Sequence, residues 1–513
     1  MQPTSVREFF ANKSVLVTGG TGFMGKVLIE KLLRTCPEIN TIYVICRSKR
    51  SKTPTTRILE MEYLPLFQPL LEKYPDALKK VKAIDGDLTR PRFGMMHSCK
   101  AELLENVELV FHLGASLRLE ADLKDAVAAN ILGTKHALEL AKGMTKLKAF
   151  VHVSTVFCQC DVRVVEEKII KPNVRPETVI ELTEWIKNNP LQREITDGLL
   201  DGHPNNYTFT KQLAETLVDD VKGTLPVCIV RPSIVTPTYR EPIPGWVDSL
   251  NGPIGILVAG GKGVLRSMMC GRDNQAQVIP CDIAINAIIL AACKTAFERN
   301  NEVTPVYNVS SGDFFPITYG TIFEKGMEAF FKYPCNPGLW YPDGSMTTNK
   351  FLHNTKVFLF QIIPALIIDL LLFICGQKPF LMRIQNRIKV GCVVLQYFTM
   401  RTWLVDTDHC TSLHDYKSKE EQEIYFLSNI DLDVDRMMKN CLLGTKQYCL
   451  REPLSTLRSA RIKLWIYWAV DRSLKAYLLY HLSRLAFYLY DQFLNVDSTT
   501  SHSSLMSSSL PIR

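Results

Sequence analysis

The chain has 513 residues, 46% of them hydrophobic and 22% charged, and a formal net charge of +8. It is too long for one ordinary domain and too apolar for a disordered chain; its mild positive charge, spread along the length, gives no argument for nucleic acid as a partner. Fifteen cysteines stand singly apart from Cys158-x-Cys160, with no C-x-x-C and no Cys/His ligand spacing, and the start (MQPTSVREFF) has no apolar signal core. A reducing, cytosol-facing catalytic region with neither disulfides nor a bound metal is expected.

Taken in chain order, Val15, Leu16 and Val17 make an apolar strand that runs into Thr18-Gly19-Gly20-Thr21-Gly22-Phe23-Met24-Gly25. An amphipathic helical run with Val27, Leu28, Leu32 and Leu33 follows. Strand, glycine turn, helix is the order that cradles a dinucleotide pyrophosphate, because glycines let backbone N–H groups approach phosphate and the helix N-terminus attracts it. The spacing is G-x-x-G-x-x-G, so an ordinary loop is the alternative reading. The next strand, 41–46, ends in Arg47 with Lys49 and Arg50 behind it, where an NAD site would carry Asp or Glu. A cationic end favours a 2′-phosphate, which predicts NADPH with Arg47 as its phosphate partner; a solvated basic loop is the plainer alternative.

Further strands are expected at 81–84, 107–112, 148–154 and 227–231, with helices over 122–143 and 207–222. That alternation predicts an α/β fold, a doubly wound parallel sheet whose ligands sit at the carboxyl ends of the strands. Asp87, Leu88, Gly114, Ala115, Arg231 and Pro232 fall at such ends. They join Thr18, Gly19, Gly22, Phe23, Met24, Gly25 and Arg47 as candidate cofactor contacts. Tyr207 and Lys211 are i and i+4 on one helical face. Of 18 tyrosines only this one has Lys four residues on, although an exposed Tyr packed on a Lys stem has the same spacing. The chemical reading has Lys211 lowering the phenol pKa and holding a nicotinamide ribose, while Tyr207 protonates a carbonyl oxygen as hydride reaches its carbon. Ser154 or Thr155 then hydrogen-bonds that oxygen; alternating strand residues point oppositely, and Thr155 is preferred.

Thr18–Gly25, Gly86-Asp87-Leu88, His152-Val-Ser-Thr155, Tyr207-x-x-x-Lys211 and Arg231-Pro-Ser-Ile234 together resemble the extended short-chain dehydrogenase/reductase superfamily. They are most similar to its eukaryotic fatty acyl-CoA reductases, whose second part resembles Trp340-Tyr341-Pro342 and the apolar region beyond. The resemblance runs to about residue 490. It implies four-electron reduction of a long-chain acyl-CoA to a primary alcohol with two NADPH, through a hemithioacetal and an aldehyde, with release of CoA. It also implies an endoplasmic reticulum or peroxisomal membrane. Val156-Phe157 stands where comparable members carry Ala-Tyr. The long 155–207 segment reads equally as an acyl lid or as an insertion. A sugar-nucleotide or hydroxysteroid dehydrogenase on the same fold, and a nucleotide-binding membrane scaffold, are the competing readings.

In the last third, 357–376 (VFLFQIIPALIIDLLLFICG) holds fourteen Leu, Ile, Val or Phe residues. They favour insertion by about 4 to 8 kcal/mol, of which Asp369 takes back about 3. A transmembrane helix and a buried core helix both fit. Residues 463–493 interleave aromatics (Trp465, Trp468, Tyr477, Tyr480, Phe487, Tyr488) with Arg472, Lys475 and Arg484. That suits either a helix lying among membrane lipid headgroups or one packed on the core. The expected organisation is a catalytic domain over 1–345, a helical membrane-associated region over 346–495 and a disordered Ser-rich tail over 496–513. Oligomeric state is not legible.

Overall fold

The computed structural model describes residues 5–505 except 50, 187–191, 299–301, 313–314, 337 and 428–431. Its centre is a seven-stranded parallel sheet of β1 (Ser14–Thr18), β2 (Thr41–Cys46), β3 (Val81–Asp85), β4 (Val107–His112), β5 (Ala149–Val153), β6 (Val227–Pro232) and β7 (Val306–Val309). The spatial order is β7-β6-β5-β4-β1-β2-β3. Every expected strand is present, and β7 adds one that the sequence reading did not foresee. All five positions of β1 are buried, which is why it reads as a continuous apolar run rather than an alternating one.

Val15 and Val17 belong to one core cluster, and Leu16 to the cluster on the opposite face. Four helices cover the two faces. They are α1 (Phe23–Thr35), α2 (Leu123–Ala126 and Gly133–Lys142, joined through the π-turn Val127–Leu132), α3 (Asn206–Asp219) and α4 (Cys281–Phe297). α1 and α4 pack on the Val15/Val17 face, α2 and α3 on the Leu16 face. α4 is buried at every position from Cys281 to Cys293, and all but Asp282 and Asn286 of these are apolar, as an enclosed helix requires. Ile283, Ile285, Ile288, Ile289 and Leu290 are wholly inaccessible, each worth about 1.5–3 kcal/mol relative to exposure. The strand order reverses between β1 and β4, and the crevice at that switch point is where such sheets bind ligands.

The expected boundary at residue 345 does not separate two bodies. Beyond it the chain returns to the catalytic unit. Gln277 donates to the Trp403 carbonyl (2.9 Å) and Asn286 to the Phe426 carbonyl (2.9 Å). Glu421 accepts from the Val6 and Arg7 amides (3.0 and 3.1 Å). What stands apart is a helical hairpin and a long terminal helix. The hairpin is α5 (Lys350–Ile374) followed by α6 (Leu381–Thr399). Among the described residues α5 is the one helix long and apolar enough to cross a membrane. Between Phe358 and Ile374 its buried positions are Gln361, Ala365 and Asp369, a single i, i+4, i+8 stripe; the buried-helix reading is therefore not met. The terminal helix α7 (Leu457–Leu505) is buried at Ala460, Leu464 and Asp471 and leaves Tyr477, Tyr480, Phe487 and Tyr488 more than half exposed. From Leu482 to Gln492 its described side chains are all exposed. Its backbone stays helical to Leu505, where a disordered tail was expected from 496; residues 506–513 lie outside the described part.

Candidate active site

The turn after β1 is built as a cradle. Gly19 has φ +72°, and a Cβ there would lie 2.8 Å from the Gly114 nitrogen, so the ends of β1 and β4 touch backbone to backbone. At Gly25 a Cβ would lie 2.4 Å from the Gly19 carbonyl oxygen and 2.6 Å from the Gly20 Cα; only glycine lets α1 start this close to the turn. Gly22 is the N-cap of α1, with no side-chain cap and no acid in the first turn. The helix N-terminus thus keeps its donors for an anion. This backbone arrangement fits a dinucleotide. Phe23 stacks on Trp246 (5.3 Å between centroids) and Met24 is half-buried beside it. Gly114 and half-buried Ala115 close the opposite rim. Thr18, expected to touch the cofactor, is fully buried instead. Its Oγ1 pairs with His112 Nδ1 (2.8 Å) and accepts from the Gly114 amide (3.1 Å), so it holds the rim in place.

Arg47 and Asp87 meet at the neighbouring strand ends, 3.3 Å apart, with Arg47 well exposed. Burial pushes the Asp87 carboxyl upward, but hydrogen bonds from Thr89 and from Arg47 outweigh it, and its pKa ends below the ordinary value. Leu88 lies next to Gly114, and its carbonyl bonds His136 (3.1 Å). Arg57, on the short helix Pro54–Leu59, was not foreseen. It donates to Thr21 Oγ1 (2.6 Å) and to the Arg47 carbonyl (2.8 Å), setting a second cation between the glycine turn and the Arg47 loop. Gly20 was also missed: a Cβ there would meet Val44 at 2.7 Å.

Arg231 and Pro232 do not join this group as expected. Arg231 is fully buried. Its guanidinium is held by Glu215 (2.8 and 2.6 Å) and by the carbonyls of Glu166 and Lys168 (3.1 and 3.0 Å). Its side chain ties β6 to α3. Pro232 is a buried strand residue paired with Val309.

Tyr207, Thr155 and Lys211 come together where the sequence puts them. Asn205 caps α3 through the Thr208 amide (3.0 Å), which starts the helix one turn before Lys211. Thr155 lies against the Tyr207 phenol and lowers its pKa, whereas Ser154 faces Cys158 and Glu215. Lys211 Nζ donates to the Val153 carbonyl (2.8 Å) and contacts His152 Nε2 (3.2 Å). The expectation that Lys211 depresses the phenol pKa is not met. Burial raises Tyr207 above its ordinary value, and Thr155 only partly offsets that. Lys211 itself is dragged by burial down to about 8, with Glu215 opposing.

His152 and His112 stack (5.4 Å). Burial drives His152 well below its ordinary value and His112 to about 3, so both are neutral. A buried chain of side chains therefore runs from the cradle to the catalytic helix through Thr18, His112, His152 and Lys211. Asn130, at the π-turn of α2, accepts from the Ser116 amide (2.8 Å) and donates to Thr210 (3.0 Å), pinning the Gly114 loop to α3. Glu215 and Asn130 were missed; Glu215 had a signal, since it continues the i, i+4 stripe of Tyr207 and Lys211.

Residues 17–288 match the family model described as male sterility protein, in its NAD-binding part, and residues 360–452 match a second male sterility model. Fatty acyl-CoA reductase 1 of Xenopus laevis is 36% identical over 89% of this chain and 88% of its own length. The human protein of that name is 34% identical over the same shares, and fatty acyl-CoA reductase wat of Drosophila melanogaster is 35% identical over 93% of each chain. In fold, the reductase domain of a nonribosomal peptide synthetase from Mycobacterium tuberculosis superposes with TM-score 0.60 at 16% identity, covering 85% of this chain and 92% of that one. The terminal R domain of the myxalamid pathway gives 0.56 at 19% identity, covering 86% and 93%. With its glycine cradle, its Tyr/Lys helix and relatives of this identity along nearly its full length, the chain belongs to the male sterility family of fatty acyl-CoA reductases.

Proposed function

We propose that this chain reduces long-chain fatty acyl-CoA to primary alcohol with two NADPH, releasing CoA. The observation that carries the reading is the Tyr207–Thr155 pair, set beside buried Lys211 and linked by the His152–His112 stack to the glycine cradle. NADPH, when bound, supplies hydride; the cradle 19–25 and the Gly114 rim would hold its pyrophosphate, and Arg47 with Arg57 the 2′-phosphate. The raised phenol pKa keeps Tyr207 protonated at neutral pH, as a proton donor must be. Thr155 shares the substrate oxygen and stabilises charge as the carbonyl carbon becomes tetrahedral. The same proton donor serves twice. It acts first on the thioester carbonyl, giving a hemithioacetal that expels CoA thiol, and then on the aldehyde. Lys211 positions the ribose and returns positive charge to the site.

Dehydrogenases of hydroxysteroids or sugar nucleotides, and a non-catalytic scaffold, are not favoured by relatives named as fatty acyl-CoA reductases. The exposed apolar α5 supports attachment to a membrane; the assignment to the endoplasmic reticulum or peroxisome, with the catalytic unit in the cytosol, follows the family resemblance. The test is incubation of purified full-length protein with acyl-CoAs of several lengths and with NADPH or NADH, products identified by mass. Alcohol and free thiol from NADPH are expected, and Tyr207→Phe is expected to lose at least about a hundredfold in kcat while retaining NADPH binding. Alcohol output unaltered by Tyr207→Phe refutes the assignment.

A further inference from the structure

The hairpin α5–α6 has two arms of opposite character. On α5, Phe358, Phe360, Ile367, Leu370, Phe373 and Ile374 are each more than half exposed. On α6, Arg383, Arg387 and Lys389 are exposed, and none has an ion-pair partner among the described residues. At about 1.5 Å per residue α5 is long enough to span a hydrocarbon core, but the connections at its ends decide whether it does. The chain enters the hairpin from the strand Ser345–Thr347, which pairs with Ser267–Met269. It leaves through Thr399, whose hydroxyl donates to the Met269 carbonyl (2.8 Å). Entry and exit therefore sit on one strand of the catalytic unit. If α5 crossed a bilayer, α6 would have to cross back with Arg383, Arg387 and Lys389 in its first nine residues, the last of them near its midpoint, which insertion strongly opposes. The turn is also fixed: Asp369 accepts the amides of Phe380, Leu381 and Met382 (2.9 Å each), so the carboxylate inside the apolar arm caps the start of the basic one. Gln361 and Gln385 bond each other (3.0 Å) along the same seam.

We infer that α5 and α6 form a surface-lying lipid hairpin, its apolar arm resting in one leaflet and its basic arm at anionic headgroups, and that it does not cross the bilayer. The exposed Phe and Leu side chains match the acyl boundary, and the unpaired cations match the negative surface potential of an anionic leaflet. Tyr397 donates to the Cys160 carbonyl (3.0 Å), and Phe398 packs on Phe157 (5.0 Å), just past Thr155. The membrane-facing element is thereby joined directly to the carbonyl-binding side of the site.

This inference rests on the membrane attachment proposed above and is independent of the reaction assigned. The test uses full-length protein on sealed vesicles of phosphatidylcholine, with or without phosphatidylserine. Cys375, exposed at the hairpin tip, is probed with a membrane-impermeant maleimide added outside, with Cys375→Ser as the blank. Labelling of bound protein from outside is expected; protection that lasts until detergent dissolves the bilayer means that α5 spans, and overturns the inference. The triple variant Arg383→Gln, Arg387→Gln, Lys389→Gln should bind anionic vesicles about a hundredfold more weakly, near fivefold per charge, with little change on neutral ones. Equal binding by variant and wild type to anionic vesicles also overturns it. NADPH consumption with a soluble short-chain acyl-CoA in detergent reports folding and the catalytic reading separately; it should be the same in the triple variant and the parent.

Discussion

Replacing Lys211 by Met removes a buried ammonium and keeps an unbranched side chain. Burial lowers the Lys211 pKa from 10.5 to about 8, so the fold disfavours its charged form. The penalty is absent above the unfolded value, grows as pH falls from 10.5 and is complete below about 8. At 1.36 kcal/mol per pH unit the drop corresponds to about 3 kcal/mol of lost stability at neutral pH. Met escapes that penalty but strands the Val153 carbonyl and His152 Nε2, which offsets about 1–3 kcal/mol at every pH. The shape is therefore the cleaner readout. Between about pH 7.5 and about pH 10 the stability of wild type should rise by about 2 kcal/mol relative to the variant. Denaturant titrations of both proteins across that range measure it, alongside acyl-CoA reduction, which the variant should lose. A difference between the two proteins that stays flat with pH refutes the claim that Lys211 is held against its charge.

Three further outcomes are expected. Gly25→Ala drives a Cβ to 2.4 Å from a backbone oxygen that cannot yield; NADPH affinity by fluorescence titration should fall at least about tenfold with helix content unchanged. Arg57→Leu should raise KM for NADPH at least about tenfold and leave KM for NADH nearly unchanged, since a charge-assisted phosphate contact is worth about 1.5–3 kcal/mol; equal effects on both cofactors would place Arg57 away from the 2′-phosphate. Arg231→Met leaves Glu215 charged and unpaired in the core and should cost about 3–5 kcal/mol, whereas Arg231→Met with Glu215→Met should recover most of it. Thermal denaturation of the single and double variants decides that point.

The strands were legible because β1, β2, β4, β5 and β6 are buried on both faces, and a chain so enclosed has to be continuously apolar. The cradle was legible because close backbone approach admits only glycine. Tyr207 and Lys211 were found by spacing along one helix face. Side-chain direction and cross-chain partners were not available in that way. Arg231 was taken for a cofactor contact because it ends a strand, yet its side chain turns to Glu215 on the covering helix. Arg57 reaches Thr21 only once β2 and the glycine turn are side by side. Thr18 reads as part of the turn but points inward to His112. Asp369 was counted as a penalty to insertion because its three amide partners lie beyond a bend the sequence did not reveal. The phenol pKa went the wrong way for a related reason: adjacency of Lys211 was visible, whereas the enclosure that outweighs it was not.

The hairpin's roots have a practical corollary. The Cys270 amide bonds the Thr347 carbonyl at 3.1 Å, and the next amide, Gly271, bonds the Thr399 carbonyl at 3.0 Å. A short peptide could bridge that gap in place of the greasy arm and keep these two bonds, losing the Gln361 oxygen that accepts from the Arg266 and Ser267 amides (2.9 and 3.3 Å) and the Tyr397 bond to Cys160 (3.0 Å). Cutting the protein off at 345 would instead remove the downstream belt that clasps Gln277, Asn286 and the N-terminal amides, and would leave those polar groups stranded. A loop-out strands fewer polar groups than a truncation and is the milder deletion for this architecture.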